Sequence, residues 1–230
     1  MRVHVVFTPA EAAAAPTGIV VDVLRATSTI AQALSSGYRH VLCCSEVEEA
    51  EALRRKLGSV VLAGERCCLR IPGFDLGNSP REFLEPGGET VVLTTTNGTR
   101  ALVTATERCD RVVAASLLNL DAVVAYAREG GADVAVFCAG VRGAFTIDDA
   151  YCAGRIVERL GGEPTDAAAA AIRIARSFGT PEEGLRASQS ARNLVAAGLE
   201  EDIEYCARES VLTVIPRVVG SQGPAVELTV

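Results

Sequence analysis

The sequence is poor in the residues that build zinc sites and disulfide frameworks. It has only two histidines, His4 and His40, and none of its eight cysteines belongs to a CxxC pair. A structural zinc site therefore has little support. Cys43–Cys44 and Cys67–Cys68 are adjacent pairs, which are poorly placed to bridge each other, and the other four cysteines fall in apolar or helical stretches. We expect reduced thiols that act mostly as small buried hydrophobes.

Long apolar runs and an excess of basic residues are also missing. No stretch approaches the ~20 apolar residues of a membrane helix, and the first residues do not form a basic region followed by an apolar run. The formal net charge is −7, whereas a nucleic-acid-binding face is normally basic. We expect a soluble, cytoplasmic protein with no membrane or nucleic-acid partner. A small anionic substrate stays compatible, because clustered arginines and a metal ion reverse the field locally.

The sequence is rich in short β-branched runs separated by amphipathic segments, and no composition shift marks a linker in its 230 residues. We predict a single domain, residues 1–230. The predicted strands are Val3–Phe7, Gly18–Leu24, Val41–Cys44, Val60–Ala63, Val91–Thr95, Val112–Ala115 and Val134–Cys138. The predicted helices are Thr27–Ser36, Glu46–Leu57, Asn97–Thr106, Asn119–Glu129 and Asp148–Leu160. This alternation predicts βαβ units, and hence an α/β fold with a largely parallel sheet and helices on both sides.

The last third of the chain has a different pattern. From Pro164 to Arg208 the sequence is mainly of helical type. Val211–Pro216 and Ala225–Val230 then predict two closing strands, which we place at an edge of the sheet.

Polar residues follow five of the predicted strands. In open parallel sheets, ligands bind beyond the carboxyl ends of the strands, so we expect these residues to meet at one rim. They are Asp22 and Arg25, Glu65 and Arg66, Thr95 to Arg100, Ser116 and Asn119, and Gly140, Arg142, Asp148 and Asp149.

The sharpest of these segments runs from Thr94 to Arg100. An apolar strand leads through small and hydroxylated residues, including Thr95, Asn97, Gly98 and Thr99, directly into a helix. Free backbone N–H groups and the positive end of a helix then point at one place, which is how proteins bind phosphate. Arg100 adds a potential bidentate contact. The alternative is an ordinary helix N-cap, and the lysine of a Walker A loop is absent.

Asp22 lies within an apolar strand, where a carboxylate is costly unless it is paired or bound to a metal ion. One interpretation is that Arg25 simply neutralises it. The other makes Asp22 a metal ligand or nucleophile, with Thr27 and Ser28 opening a second anion-binding helix terminus. Asp22 could be a nucleophile of the haloacid-dehalogenase type only if a second acid followed two residues later. Leu24 occupies that position, so the partner acid is absent.

Glu65 and Arg66 precede a loop that contains Asp75 and Asn78 and has the composition of a binding loop. Oxygen ligands from Asp22, Glu65 and Asp75, without a histidine cluster, favour Mg²⁺ over zinc. The alternatives are turn capping for Asp75 and Asn78 and an exposed ion pair for Glu65. For Asp148 and Asp149, the alternative to a role in the site is that they only complement the dipole of the helix that they begin.

Several uninterrupted blocks resemble the 2-phosphosulfolactate phosphatase family. They appear in the family's order between about residue 20 and residue 155. The blocks are Val21-Asp22-Val23-Leu24-Arg25-Ala26-Thr27-Ser28-Thr29, Ala63-Gly64-Glu65-Arg66, Gly73-Phe74-Asp75-Leu76-Gly77-Asn78-Ser79-Pro80, Thr94–Arg100 and Cys138-Ala139-Gly140. The resemblance implies a three-layer α/β/α fold, a requirement for Mg²⁺, and hydrolysis of 2-phosphosulfolactate to sulfolactate and phosphate, a step of coenzyme M biosynthesis. In the last third, where the family has a Ser-x-His-Gly type segment, this chain has Ser188-Gln189-Ser190-Ala191-Arg192.

Together these interpretations give a set of expected roles. Asp22, Glu65 and Arg25 are expected to be catalytic, with water rather than Asp22 as the favoured nucleophile. Asp22, Glu65 and Asp75 are expected to hold Mg²⁺. Substrate binding is expected from Thr27, Ser28, Arg66, Asn78, Thr95, Asn97, Gly98, Thr99, Arg100 and Arg142. Two alternatives to this function stay open: phosphatase or phosphotransferase activity on another small phosphorylated acid, and a non-catalytic anion-binding role. A homodimer is also expected to be possible.

Overall fold

The computed structural model describes residues 1–8, 11 and 13–230. The strands are β1 (Arg2–Val6), β2 (Ala15–Val21), β3 (His40–Cys44), β4 (Val61–Arg66), β5 (Leu69–Arg70), β6 (Thr90–Thr94), β7 (Cys109–Ala115), β8 (Val134–Cys138), β9 (Glu163–Pro164), β10 (Arg217–Gln222) and β11 (Ala225–Thr229). The α-helices are α1 (Ala26–Ser35), α2 (Val47–Leu57), α3 (Gly98–Thr106), α4 (Leu120–Glu129), α5 (Ile147–Leu160), α6 (Asp166–Arg176), α7 (Pro181–Arg186), α8 (Gln189–Ala196) and α9 (Glu201–Cys206). A short 3₁₀ helix covers Pro80–Phe83.

Alternate residues of each strand face opposite sides of the sheet, as the period of an extended chain requires. In β3, Val41 and Cys43 pack with α1 and α3 on one face, while Leu42 and Cys44 pack with α2 on the other. Helices α4, α5 and α6 cover the second face over β1, β2, β7 and β8. The three-layer α/β/α fold is thereby confirmed.

The strand order is β5-β4-β6-β3-β11-β10-β7-β2-β8-β1-β9. Strands β4, β6 and β3 form one parallel group, and β7, β2, β8 and β1 form the other. The β10–β11 hairpin lies between the groups and pairs antiparallel with both. The prediction that the closing strands lie at an edge was therefore wrong, since this hairpin is the middle of the sheet.

Three successive antiparallel pairings across the hairpin reverse the strand sense between the two parallel groups. Neighbouring strands are also rotated by roughly 20–25° each, so the five steps from β2 to β6 accumulate more than about 100°. Helix α1 contacts β3 of one group and β7 of the other, whereas α3 contacts β2, β7 and β8 together with β11 of the hairpin. The carboxyl ends of β2 and β6 consequently open into the same cavity.

The seven strands and five helices predicted before residue 161 are all present, with small shifts of their ends. The helical character of the last third is confirmed by α6 to α9. Residues 211–216 do not form a strand, contrary to prediction. They lie beside the end of β7 and the β7–α4 connection, where Pro216 O accepts from Ala114 N and Leu212 N donates to Leu118 O. Among the described residues, no helix has the length and apolar character needed to cross a membrane.

Candidate functional site

A cavity of about 200 Å³ opens where loops from both strand groups converge. Its walls come from the ends of β2, β4, β6 and β8 and from helix α8. The lining residues are Asp22, Leu24, Arg25, Glu65, Arg66, Cys67, Cys68, Asn78, Thr95, Thr96, Asn97, Val141, Arg142, Ser190, Asn193 and Leu194.

Asp22 follows β2 directly and is only 7% exposed. Its backbone is fixed by Thr27, whose Oγ1 accepts from Asp22 N (3.1 Å) and whose N donates to Asp22 O (2.9 Å). Its Oδ1 has a long hydrogen bond from Ala26 N, at 3.4 Å. Burial, followed by the negative charge of Asp148, raises the pKa of Asp22 to about 7. The site therefore holds a carboxyl group that is poised to exchange a proton or a cation near neutral pH.

Two further buried acids, Asp148 and Asp149, stand in the first turn of α5. Asp149 accepts hydrogen bonds from Val23 N and Gly140 N, both at 2.9 Å, and so joins the loops that follow β2 and β8. Burial raises the pKa of both carboxyl groups, and the charge of Asp148 raises that of Asp149 further. Both acids were expected at the rim of the sheet, but the bridging role of Asp149 was not predicted. It goes beyond complementing a helix dipole.

Two neutral oxygens of the cavity wall are available for a ligand. Asn78 Oδ1 and Thr95 Oγ1 are buried and have no hydrogen-bond partner among the described residues. With Asp22 they form a set of hard oxygen donors, and Mg²⁺ is typically held by one or two carboxylates together with waters and substrate phosphate oxygens. The side chains present therefore fit Mg²⁺, although no cluster of three or more His, Cys, Asp or Glu side chains with metal-binding geometry occurs in the part of the chain described.

Glu65 lines the cavity, but other groups already occupy its carboxylate. Oε1 accepts from Thr96 N (3.0 Å) and Thr96 Oγ1 (2.9 Å), and Oε2 accepts from Cys68 N (2.8 Å). The side chain thus joins the β4–β5 turn to the loop before α3. This arrangement makes Glu65 a positioning residue and weakens its assignment as a metal ligand.

Arg25 is buried and paired with a residue that sequence reasoning missed. Its Nη1 lies 2.7 Å from Asp202 Oδ2, and its Nη2 donates to Cys68 O at 2.8 Å. Asp202, on α9, is fully buried and also accepts from Ser79 Oγ at 2.6 Å. The prediction that Arg25 is catalytic is thus revised: Arg25 lines the cavity, but its guanidinium is held by Asp202.

Three side chains that were predicted to bind substrate make hydrogen bonds to backbone oxygens of the protein instead. Thr27 and Ser28 are fully buried, and their hydroxyls donate to Asp22 O (2.9 Å) and Val23 O (2.8 Å). Arg66 lines the cavity, yet it donates to Glu65 O and Ser45 O. Thr27 and Ser28 therefore shape the loop after β2, and neither lines the cavity.

Three other predicted residues lie outside the cavity. Arg100 is exposed, because α3 buries Ala101 and Leu102 and turns its neighbour to solvent. Thr99 is buried in the helix without lining the cavity. Asp75 accepts from Leu62 N at 2.8 Å and pairs with Arg54, so it does not join Asp22 and Glu65 as a metal ligand.

The loop after β8 brings Arg142 to the outer part of the cavity. Arg142 N donates to Asn97 Oδ1 at 3.0 Å, and Asn97 in turn precedes α3. No side chain of the described residues caps the N-terminus of α3, so its first amides stay available for an anion. Ser190, which stands where the resemblance implies histidine, is 6% exposed and lines the same cavity.

Gly98 gives a direct test of this packing. A Cβ atom on Gly98 would lie 2.5 Å from Ala26 Cβ and 2.8 Å from Asp22 Oδ2. We expect Gly98→Ala to displace the Asp22 carboxylate and lower phosphate release by roughly tenfold or more, since small misplacements of reacting groups are costly. Steady-state kinetics check this, with Gly220→Ala as control because Gly220 has open space around it. Activity of Gly98→Ala equal to that of the control would contradict the contact.

The fold and the cavity define an α/β protein with a buried carboxylate, available oxygen donors and an uncapped helix N-terminus at the strand ends, a site suited to a small phosphorylated acid. A family model described as 2-phosphosulpholactate phosphatase matches residues 6–221. The chain belongs to the 2-phosphosulfolactate phosphatase family, as the sequence blocks implied.

Individual relatives agree with this assignment. A Thermotoga maritima protein named "Probable 2-phosphosulfolactate phosphatase" is 42% identical over 221 residues, which cover 94% of this chain and 95% of that protein. A Thermus thermophilus protein of the same name is 40% identical and covers 98% of each chain. A Methanothermobacter thermautotrophicus protein named "2-phosphosulfolactate phosphatase" is 39% identical over 86% of this chain and 84% of that protein.

Proposed function

We propose that this chain hydrolyses 2-phosphosulfolactate to sulfolactate and phosphate and that it requires Mg²⁺. The family match supports the reaction. The observation that carries the proposal is the position of Asp22, a buried carboxylate with a pKa raised to about 7 by burial and by Asp148. It lies beside the uncapped N-terminus of α3, where a Cβ atom on Gly98 would reach its Oδ2.

Within this proposal, Asp22 holds the cation together with Asn78 Oδ1 and Thr95 Oγ1. When bound, Mg²⁺ supplies charge neutralisation for the phosphoryl oxygens and orients the attacking water. Glu65 no longer serves as a ligand in the proposal, because its three hydrogen bonds fix the two loops that form the cavity wall.

The chain's own residues bind and orient the substrate. The first amides of α3 face the phosphate and favour negative charge through the helix dipole. Asn97 holds the Arg142 loop against this helix. Water attacks phosphorus and gives up a proton, the ester P–O bond breaks, and the leaving alkoxide oxygen of sulfolactate takes up a proton to become the hydroxyl. We favour water over Asp22 as the nucleophile because Asp22 is assigned to the cation.

Phosphate release from a panel of phosphorylated hydroxy acids tests the proposal. We expect turnover of 2-phosphosulfolactate in Mg²⁺, little turnover in excess chelator, and recovery when Mg²⁺ is added back. Serine phosphate and p-nitrophenyl phosphate serve as controls that lack the sulfonate. Full activity in chelator would overturn the requirement for Mg²⁺, and no release from any panel member would overturn the hydrolysis.

A non-catalytic anion-binding protein is the second candidate, and a specific observation favours it. Ser190 lines the cavity where the resemblance implies histidine, and a serine hydroxyl does not replace an imidazole as an acid near pH 7. In that case the protein would bind 2-phosphosulfolactate in calorimetry without releasing phosphate. A phosphotransferase would instead require an acceptor alcohol for release.

The cytoplasmic location and the homodimer stay predictions. The location is supported by the eight cysteines, all of which are free thiols in the structure, as expected in a reducing compartment.

A further inference from the structure

A second cavity lies directly outside the first and shares part of its wall. The shared residues are Cys67, Cys68, Val141, Arg142 and Asn193, and Gln189 closes the outer side. The two cavities therefore form one path, with Asp22 at its inner end and Arg142 between the two parts. An elongated ligand can occupy both at once.

Arg142 is the free cation of this path. Its side chain is exposed, and its guanidinium has no hydrogen-bond or ionic partner among the residues that the structure describes. Its backbone is nevertheless fixed. Arg142 N donates to Asn97 Oδ1 at 3.0 Å, and Val141 and Ala144 exchange two hydrogen bonds of 3.0 and 2.9 Å around it. The backbone that carries this guanidinium is thus anchored to the residue that precedes α3.

The opposite wall, at the start of α8, offers donors and few acceptors. Asn193 Oδ1 already accepts from Gln189 Nε2 at 2.9 Å, and Gln189 Oε1 accepts from Arg192 Nη2 at 2.9 Å. The Asn193 amide nitrogen therefore remains to face the cavity with Arg142. A wall of N–H donors and one guanidinium favours an acceptor-only, fully ionised group and disfavours a neutral or donating one.

We propose that this outer cavity, with Arg142 and Asn193, is the subsite for the second strong acid of the substrate, its sulfonate. This inference rests on the proposed function, because it assumes that the phosphate occupies the inner cavity. A sulfonate presents three acceptor oxygens and no donor, which matches the donors of this wall. Since Asn97 anchors the backbone of Arg142 beside α3, the guanidinium lies within reach of a second acid on a substrate whose phosphate faces this helix.

Two substrates that differ in one group test the subsite. 2-Phospholactate has the skeleton of 2-phosphosulfolactate with hydrogen in place of the sulfonate. We expect Arg142→Ala to lower kcat/KM for 2-phosphosulfolactate by roughly 10- to 100-fold, the usual effect of losing a charge-assisted hydrogen bond. The change should appear mainly in KM. For 2-phospholactate we expect a change of less than about threefold.

Further variants sharpen the comparison. Asn193→Asp should raise KM for 2-phosphosulfolactate only, since it places a negative charge opposite the sulfonate. Arg100→Ala is the matched control: it removes an exposed arginine of α3 that lines neither cavity, and it should leave both substrates unaffected. If Arg142→Ala impairs both substrates equally, or neither, the subsite is wrong.

Binding without turnover separates this inference from the proposed function. Calorimetry with sulfolactate should show weaker binding to Arg142→Ala than to Arg100→Ala, even if the wild-type protein releases no phosphate. Lack of phosphate release overturns the hydrolysis alone. Equal binding of sulfolactate to the two variants overturns the subsite alone.

Discussion

Asp22→Asn should abolish phosphate release while leaving the fold intact. The substitution keeps the size of the side chain and the acceptor for Ala26 N, but it removes the only carboxylate of the proposed cation site. A hard divalent cation binds a neutral amide far less strongly than a carboxylate. We therefore expect turnover below detection in a phosphate-release assay, with an unchanged circular dichroism spectrum.

The same substitution should raise the free energy of unfolding at neutral pH and above, although it abolishes activity. The pKa of Asp22 rises from 3.8 to about 7 on folding, through burial and then the charge of Asp148. The folded state therefore binds more protons, and the wild type loses stability as pH rises from about 4 to about 7. Above pH 7, without metal, Asp22→Asn should be more stable by on the order of 1–4 kcal/mol. Below pH 4 this difference should vanish.

Urea unfolding at pH 4 and pH 8, with chelator or with Mg²⁺, measures this effect. Ligand that binds only the folded state stabilises it, so Mg²⁺ should raise the unfolding midpoint of the wild type and not that of Asp22→Asn. Asp75→Asn is the control, because Asp75 lies outside the cavity, and it should respond to Mg²⁺ like the wild type. An active Asp22→Asn protein would remove Asp22 from the mechanism.

Asp202→Ala should produce the largest loss of stability. It leaves the Arg25 guanidinium, whose side chain is 3% exposed, without its ionic partner. Breaking a buried pair from one side typically costs about 3–5 kcal/mol, because an uncompensated charge remains buried. Ser79 also loses the acceptor that it contacts at 2.6 Å. Activity should fall on the order of 100-fold, since Arg25 also holds Cys68 O at the cavity wall.

A double variant separates stability from catalysis. Arg25→Met combined with Asp202→Leu removes both charges, and apolar replacement of a buried pair is often neutral for stability. We expect its urea midpoint to recover most of the loss seen in Asp202→Ala, while activity does not return. A free energy of unfolding of Asp202→Ala within about 1 kcal/mol of that of the wild type would show that the pair is not structurally important.

The sequence predicted the strands and helices well because their signals are local. Apolar runs such as Val91–Leu93 determine a buried strand whatever surrounds them. The position of the closing hairpin within the sheet could not be predicted from the sequence. Insertion of β10 and β11 between β3 and β7 depends on pairing with strands distant in sequence, and an edge strand has the same local pattern.

Only part of the candidate site was predicted, because some of its residues are placed by local signals and others by contacts between distant parts of the chain. Polar residues that follow strands, such as Asp22, Asn97 and Arg142, reach the cavity because strand direction places them there. The direction of Arg100 depends instead on which face of α3 is buried. The pairing of Arg25 with Asp202 spans 177 residues. One signal was present: Asp202 precedes Ile203 in a helix that also buries Cys206, and an acid on the buried face of a helix requires a partner.

The central hairpin also determines when, during folding, the protein becomes able to bind a ligand. Strand β3, near residue 40, pairs with β6 on one side, and it acquires its neighbour on the other side only when β11, near residue 226, has arrived. Contacts between residues this distant in sequence form late, because closing a long loop costs chain entropy first. Strands β3, β4 and β6 lie between residues 40 and 94 and can pair earlier. The cavity, however, takes Thr95 from one group and Asp22 from the other. Ligand binding is therefore expected among the last properties that the chain acquires.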